Sequence, residues 1–140
     1  MQITVQVNNL AAVQKALRTI GSNIPKVIQS ATNRMATEAV NTAKIYPPPP
    51  ENSRYVRTYT FRNAWRITPS GNLGVMIRND ASQKGRMYPV FVMGNDVGSG
   101  QASIHSGRWS LFINNVTKEA DKMDAYVVSE IQSLIKAKGL

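Results

Sequence analysis

Residues 46–65, YPPPPENSRYVRTYTFRNAW, separate a helical first part of this chain from a mixed second part. Four consecutive prolines end any helix before them, because proline lacks an amide hydrogen and disfavours helical geometry at the preceding residue. Arginines and aromatic residues then interleave up to the tryptophan. We therefore predict a stiff proline-rich spacer over residues 46–52, acting either as a rigid connector or as a ligand for an aromatic groove.

The part before the prolines has the pattern of a strand and two helices. Ile3, Val5 and Val7 alternate with polar residues, as in a half-buried strand. Apolar residues recur at helical spacing over residues 9–20 and again from residue 22 to about residue 45. In the second of these two helices, Pro25 lies in the first turn. We predict a helical region over residues 9–45. The stripe of its long second helix is Ile24, Val27, Ile28, Ala31, Met35, Ala39 and Ala43.

The part after the spacer has the pattern of a small antiparallel sheet over residues 64–93. We predict a short helix or turn near residues 57–63, a strand over about 64–68 and a turn over 69–72. Leu73, Val75 and Ile77 then alternate with other residues in a second strand. A third strand is predicted over residues 87–93, where Pro89 makes it an edge strand or delays its start.

The last part combines a loop and a long helix. Residues 94–107 contain four glycines and three serines without an apolar period, which predicts a mobile loop over residues 94–108. Residues 110–137 show helical periodicity, with a stripe of Ile113, Val116, Ala120, Met123, Val127, Ile131 and Leu134. The 140 residues are expected to form one α+β domain, in which a sheet of three or four strands packs against two long helices and a short N-terminal helix.

The formal net charge of +9 is concentrated in the middle of the chain. Residues 52–110 contain eight basic residues against two acidic ones, whereas residues 111–140 contain four of each. Such a zone suits phosphates, anionic lipids or an acidic protein surface, and charge alone does not choose among them. No basic segment leads into an apolar core at the amino terminus and no long apolar run follows, so we expect a soluble protein without a membrane segment.

Few residues are suited to catalysis. With no cysteine and with His105 as the single histidine, a zinc site of His and Cys ligands cannot be assembled. A serine triad would need His105 together with Asp80 or Asp96, and no nucleophile-elbow motif accompanies them. We therefore predict a protein that is not an enzyme and that uses no cofactor or metal.

The interleaved arginines and aromatic residues have two interpretations. They predict a protein interface, because arginine suits interfaces and stacks on rings, or a basic nucleic-acid-binding module that uses residues 54–66 to stack bases and hold phosphates. We favour the interface. The residues predicted to form it are Arg54, Tyr55, Arg57, Thr58, Arg62, Arg66, His105 and Arg108, and the predicted structural anchors are Phe61, Trp65 and Trp109.

Three segments in this order, YPPPPENSRYVRTYTFRNAW, RMYPVFVMG and IHSGRWSLF, are followed by the long carboxy-terminal helix. Together they resemble a family of tailed-bacteriophage neck, minor tail and tail-completion proteins, which join head to tail. Arg57-Thr58 and the group His105, Arg108 and Trp109 carry most of the resemblance. Arg57-Thr58 stand where a Thr-Gly turn is common in that family.

The resemblance implies a structural virion protein. Its copies would form a ring, typically six-fold, with a head connector or stopper protein on one side and a tail terminator or tail tube protein on the other. The phage genome would pass through the ring. The protein would reside in the neck or tail of the virion and in the host cytoplasm during assembly. A ring requires two different complementary faces on each copy, for which the arginine-rich middle and either the glycine-rich loop or the terminal helix are candidates.

Overall fold

The computed structural model describes residues 1–5, 21, 23–49, 51–53 and 59–137. The predicted helix over residues 9–20 lies outside these residues, as do Arg54, Tyr55, Arg57 and Thr58. The chain is α+β, as predicted. Its described elements are β1 (Gln2–Val5), α1 (Ile24–Ala43), α2 (Thr60–Asn63), β2 (Trp65–Ser70), β3 (Gly74–Asn79), β4 (Ser82–Gln83), β5 (Arg86–Met87), α3 (Tyr88–Met93) and α4 (Phe112–Ala137).

Three strands form an antiparallel sheet in the order β1-β3-β2. Ile3, Ile77 and Ile67 lie opposite one another in the register, and this face turns towards the core. The neighbouring row, Gln2, Arg78 and Arg66, points to the other face and is exposed, because side chains alternate along a strand. One face of the sheet is therefore buried and the other is polar and open.

The strand β2 continues further than the sequence pattern predicted. It runs through Pro69, which lies opposite Val75, and ends at Ser70. Proline is tolerated here because β2 stands at one end of the strand order and needs no second ladder partner. The turn consequently begins at Gly71 instead of at Pro69.

The two long helices run antiparallel to each other across the buried face of the sheet. Ile28 near the start of α1 packs with Ile131 near the end of α4, and the Thr32 Oγ1 lies 4.0 Å from the Met123 Sδ. In the second half of α1, Ala36 and Ala39 are fully buried, and their small side chains bring the helix close to its neighbours. The helix α1 was predicted to begin at residues 22–23; it begins at Ile24, directly after Asn23, and Pro25 lies in its first turn as predicted.

The predicted third strand over residues 87–93 is wrong. Only Arg86–Met87 is extended, in a two-residue ladder with Ser82–Gln83, and Tyr88–Met93 is the helix α3. Pro89 explains the difference, since it has no amide hydrogen for a ladder but fits the first turn of a helix. Pro89, Val92 and Met93 are buried at helical spacing.

The segment over residues 94–108 contains turns but no helix or strand. Hydrogen bonds nevertheless hold it to the rest of the fold. The Gln101 side-chain amide donates to the carbonyl oxygens of Val92 (2.9 Å) and Trp109 (2.8 Å), and the Ala102 amide donates to the Phe91 carbonyl oxygen (2.9 Å). The segment is thus fastened at its middle as well as at its ends. Within the described ranges, no helix combines the length and the apolar character needed to cross a membrane.

Candidate functional site

A cluster of aromatic rings holds the middle of the chain together, and Phe61 is at its centre. The Phe61 ring lies 5.5 Å from Trp65, 5.7 Å from Trp109, 6.1 Å from Tyr88 and 6.2 Å from Tyr46, measured between ring centroids. Phe61 and Trp65 are buried, and Trp109 is partly buried against the same core. We call this set, with Tyr59 and Phe112 at its margins, the aromatic cluster.

The aromatic cluster fixes the proline-rich segment against the loop that precedes α4. The Tyr46 ring makes an edge contact with Trp109 at 5.0 Å, and its hydroxyl oxygen accepts a hydrogen bond from the Arg62 amide at 3.0 Å. The Arg108 guanidinium donates to the Pro48 carbonyl oxygen at 2.6 Å. The prolines are therefore tied to both the segment after them and the distant loop.

Two arginines that were predicted to form an interface make hydrogen bonds within the chain. The Arg108 guanidinium donates to the Pro48 carbonyl oxygen. The Arg66 Nη1 donates to the carbonyl oxygens of Asn63 and Trp65, both at 2.9 Å. Arg66 projects from the exposed face of the sheet, whereas Arg108 lies beside the loop. Of the predicted interface arginines that the structure describes, Arg66 and Arg108 therefore use side-chain donors on backbone of the same chain.

A cleft opens where α1 ends, and we call it the cationic cleft. Its volume is about 400 Å³, and the described residues that line it are Asn41, Lys44, Ile45, Tyr46, Tyr59 and Arg62. None of these six is acidic. Neither Lys44 nor Arg62 forms an ion pair with any described residue. The cleft therefore presents two uncompensated positive charges.

Apolar side chains border the cationic cleft as well. Ile45 is 73% exposed and Tyr59 is 48% exposed, which is high for residues of this size. The Tyr59 ring stacks on Tyr46, with 5.6 Å between centroids and 20° between planes, and the Arg62 guanidinium carbon lies 6.0 Å from the Tyr59 centroid. Charge, aliphatic surface and an aromatic ring thus occur together on an open surface.

The backbone of Tyr59 is strained. Its φ of 58° and ψ of 11° lie in the left-handed region, which costs a non-glycine residue about 1–2 kcal/mol. This conformation begins the short helix α2 and places the ring over Tyr46. Such strain concentrates at functional positions because the surrounding packing must maintain it.

A second cleft, of about 390 Å³, lies between α1 and α4 and differs in its electrostatics. The Lys122 Nζ lies 2.8 Å from the Glu119 Oε1, and the Arg34 guanidinium covers the Tyr126 ring at 4.7 Å. Its described lining residues include two basic side chains, Arg34 and Lys122, and two acidic ones, Glu38 and Glu119. The charges in this cleft are compensated, in contrast to those of the cationic cleft.

His105 lies within the loop over residues 94–108, and one of its ring nitrogens has no hydrogen-bond partner. Its Nδ1 is buried without a hydrogen-bond partner, while its carbonyl oxygen accepts from the amides of Arg108 (3.1 Å) and Trp109 (2.9 Å). Burial lowers the pKa of His105 from its usual value, and the nearby Arg108 guanidinium lowers it further. Both effects favour the neutral form of the imidazole.

The lowered pKa of His105 predicts that the protein becomes less stable in weak acid. Below about pH 6.5 the unfolded chain binds a proton that the folded chain resists, so the free energy of unfolding should fall with pH until folded His105 is protonated too. Urea unfolding of wild type and His105→Gln across this range tests the prediction. The wild type should lose more stability on acidification than the variant does, and parallel pH profiles would contradict it.

Among the described residues, no three His, Asp or Glu side chains lie close enough together to hold a metal ion. Asp80 lies 3.4 Å from Arg78 in an exposed ion pair on the open side of the sheet.

Comparisons of the chain with protein-family models, with curated proteins and with solved structures find no match. The resemblance to phage neck proteins therefore stays a prediction.

Of the six residues that line the cationic cleft, sequence reasoning predicted only Arg62 as a site residue. Arg62 was predicted as an interface residue, but Lys44, Ile45 and Tyr46 were assigned to the end of a helix and to a spacer. The prolines themselves were a signal for this cleft. A helix must end before Pro47, so no following helical turn covers the side chains of its last residues. Ile45, two positions before the first proline, is accordingly 73% exposed.

Proposed function

We propose that this chain is a structural subunit of a tailed-phage neck, whose copies form a ring that completes the tail and joins it to the head connector. The observation that carries the proposal is the cationic cleft. Two uncompensated charges, Lys44 and Arg62, lie beside the exposed side chains of Ile45 and Tyr59. Surfaces that combine arginine, aromatic and aliphatic groups are typical of protein interfaces.

The distribution of charge also supports a ring. The middle of the chain is strongly basic, whereas the helix α4 is close to neutral, with four acidic side chains, Glu119, Asp121, Asp124 and Glu130, and three lysines. Two dissimilar faces on one copy permit head-to-tail contacts, and such contacts close into a ring when the rotation between neighbours allows it. In this proposal the ring is hexameric, as the family resemblance implies, and a connector or stopper protein and a tail terminator or tail tube protein bind its two sides.

Burial of the aromatic residues weakens the alternative of a nucleic-acid-binding module. Base stacking needs exposed rings, but Phe61 is 2% exposed and Trp65 is 6% exposed. Among the described aromatic residues of the stretch 54–66, Tyr59 alone offers an exposed ring. The described rings therefore act mainly as core. The cations of the cleft, Lys44 and Arg62, remain available for acidic groups of a protein partner or for DNA that passes through the ring.

Light scattering and negative-stain electron microscopy of the purified chain test the proposal. We expect one discrete oligomer, with a mass that is a multiple of 15.4 kDa and with ring-shaped particles. Binding to a single-stranded oligonucleotide should be measured in the same buffer over a range of salt concentrations. Mass spectrometry of purified virions made by the encoding genome adds an independent readout, and the chain should be present there.

The opposite set of results would overturn the proposal. It would consist of a monomer at every concentration, a steep salt dependence of oligonucleotide binding and absence of the chain from virions. That combination would favour the nucleic-acid-binding module.

A further inference from the structure

One side of α4 presents a stripe of exposed side chains that no contact within the described chain explains. Asp121, Asp124 and Val128 are exposed, and their spacing of three and four places them on one side of the helix. Val128 is 53% exposed, although it is aliphatic. We call these three residues the acidic stripe.

The charge of the acidic stripe is not neutralised by its neighbours. Neither Asp121 nor Asp124 forms an ion pair with a described residue, and Lys122 is already bound to Glu119. Lys118 lies one turn before Asp121 but forms no ion pair with it, and between Lys122 and Lys136 the helix α4 contains acidic residues but no basic one. Among the described residues, the two carboxylates of the stripe therefore have no ion-pair partner, and they lie beside an exposed aliphatic side chain.

The acidic stripe and the cationic cleft are complementary group by group. The cleft offers two cations beside the exposed Ile45, and the stripe offers two carboxylates beside the exposed Val128. Opposite charges across an interface set its register and select the partner, while the adjoining apolar surfaces lose contact with water. A nucleic acid would satisfy the cations but would leave Ile45 without an apolar partner, so the composition of the cleft favours a protein.

Within a single copy, Lys44 of the cleft and Asp121 of the stripe are too far apart to pair. Thr32 of α1 lies beside Met123 of α4, so these two residues occupy the same position along the axes of the paired helices. Lys44 lies 12 positions after Thr32, which is about 18 Å along the helix axis at 1.5 Å per residue. Asp121 is only two positions from Met123, so a direct ion pair between Lys44 and Asp121 is out of reach.

We infer that the cationic cleft of one copy binds the acidic stripe of the next copy, with Lys44 and Arg62 facing Asp121 and Asp124, and with Ile45 against Val128. This inference rests on the proposed function and names the surfaces through which its ring would form. The contact is head-to-tail, because each copy uses its cleft towards one neighbour and its stripe towards the other. Association therefore continues until the ring closes.

Neutralising either surface tests the inference. The variants Lys44→Gln with Arg62→Gln, and Asp121→Asn with Asp124→Asn, keep the size and polarity of these side chains but remove the charges. Each double variant should weaken association about tenfold or more at every contact and shift the protein from oligomer to monomer. Raising the salt concentration should weaken association of the wild type in the same direction.

Mixing the two double variants distinguishes head-to-tail contact from other arrangements. One variant retains an intact stripe and the other an intact cleft, so an equimolar mixture should form dimers that do not grow further. A matched control removes two other exposed cations, Lys26→Gln with Lys84→Gln, and this control should assemble as the wild type does. Growth of the mixture to full rings, or loss of assembly in the control, would overturn the inference.

Cross-linking gives a second test that also detects weak association. The chain has no cysteine, so Ile45→Cys in one copy and Val128→Cys in another can be joined by a short bis-maleimide without background. We expect a cross-linked pair in the mixture, and far less product when Thr4→Cys, on the open face of the sheet, replaces Val128→Cys. Equal yields from the two mixtures would overturn the inference.

The outcomes separate this inference from the proposed function. If the wild type forms rings but both double variants still assemble and the Ile45–Val128 product is absent, the named surfaces are wrong while a ring-forming subunit stands. If the wild type stays monomeric and the mixture of Ile45→Cys and Val128→Cys gives no cross-linked product, both are wrong. Loss of oligonucleotide binding in Lys44→Gln with Arg62→Gln, without any self-association of the wild type, would assign the cleft to nucleic acid and overturn the inference.

Discussion

Replacing Phe61 with alanine is expected to lower the free energy of unfolding by about 3–5 kcal/mol, the usual cost of removing a buried phenylalanine ring. Phe61 is 2% exposed, and its ring is within 6.2 Å of four other aromatic rings, counted between centroids. These rings come from the segment after α1, from β2, from α3 and from the loop before α4. Truncation would therefore leave a cavity that no single element can close.

Urea denaturation followed by tryptophan fluorescence measures this loss, because Trp65 and Trp109 both lie in the aromatic cluster. Phe91→Ala is the matched control, since Phe91 is 44% exposed and its truncation should cost less than about 1 kcal/mol. If the two variants were equally stable, Phe61 would not be the centre of the fold. At subdenaturing urea, Phe61→Ala should also weaken association, because Tyr46 and Tyr59 of the cationic cleft stack within the same cluster.

Replacing Asn79 with alanine is expected to cost about 1–3 kcal/mol, because it leaves the buried Ala81 amide without a partner. It also removes one of the two hydrogen bonds to the Phe61 carbonyl oxygen, which keeps the weaker one from the Ala64 amide at 3.4 Å. Asn79 is fully buried at the end of β3. Its side-chain amide donates to the Phe61 carbonyl oxygen at 2.9 Å, and its side-chain oxygen accepts from the Ala81 amide at 3.0 Å. The residue thus connects the sheet to the short helix that contains Phe61.

Two further variants show whether these hydrogen bonds account for the effect. Asn114→Ala removes the same side chain from an exposed position of α4 and should leave stability within about 0.5 kcal/mol of wild type. Asn79→Asp keeps the acceptor for Ala81 but places a carboxylate against the Phe61 carbonyl oxygen. Burial should raise the pKa of this carboxyl group, so the stability deficit of the variant should shrink as the pH falls and the group becomes a donor. A deficit that is independent of pH would contradict this explanation.

The two long helices were predictable because their periods and end signals agree. Asn23 and Pro25 mark the start of α1, the prolines after Tyr46 mark its end, and the stripe from Ile24 to Ala43 is buried as the spacing indicates. The hairpin of β2 and β3 was predictable for the same reason, since alternation on both sides of Gly71 fixes the register. These features depend on residues that are neighbours in the sequence.

The segment from Arg86 to Met93 shows where local patterns fail. Tyr, Val, Phe and Val favour a strand, yet the chain forms the helix α3 because Pro89 cannot join a ladder and because Pro89, Val92 and Met93 fill the core from one helical face. For a short apolar run of this kind, packing decides between strand and helix. The sequence contains the proline but not the shape of the space that the helix fills.

The candidate site depends on distant residues to a greater degree. Arg108 and Pro48 are 60 positions apart and are joined by one hydrogen bond, and Tyr46 meets Trp109 over a similar separation. Neither contact has a signature in the pattern of either segment. As a result, arginines that the sequence suggested for an interface bind backbone within the chain, while Lys44 and Ile45 take the place beside Arg62.

The sequence alone determined the fold class, the course of the two long helices and the central hairpin, because periodicity, caps and turns act over a few residues. It also determined that residues 46–65 organise the chain. The tertiary structure decided which of those side chains are core and which are surface, because burial depends on what packs against a residue from elsewhere. Phe61 and Trp65 became the centre of the aromatic cluster, and Lys44, Ile45, Tyr59 and Arg62 became an open cationic cleft, only when α1, the loop before α4 and the prolines were brought together.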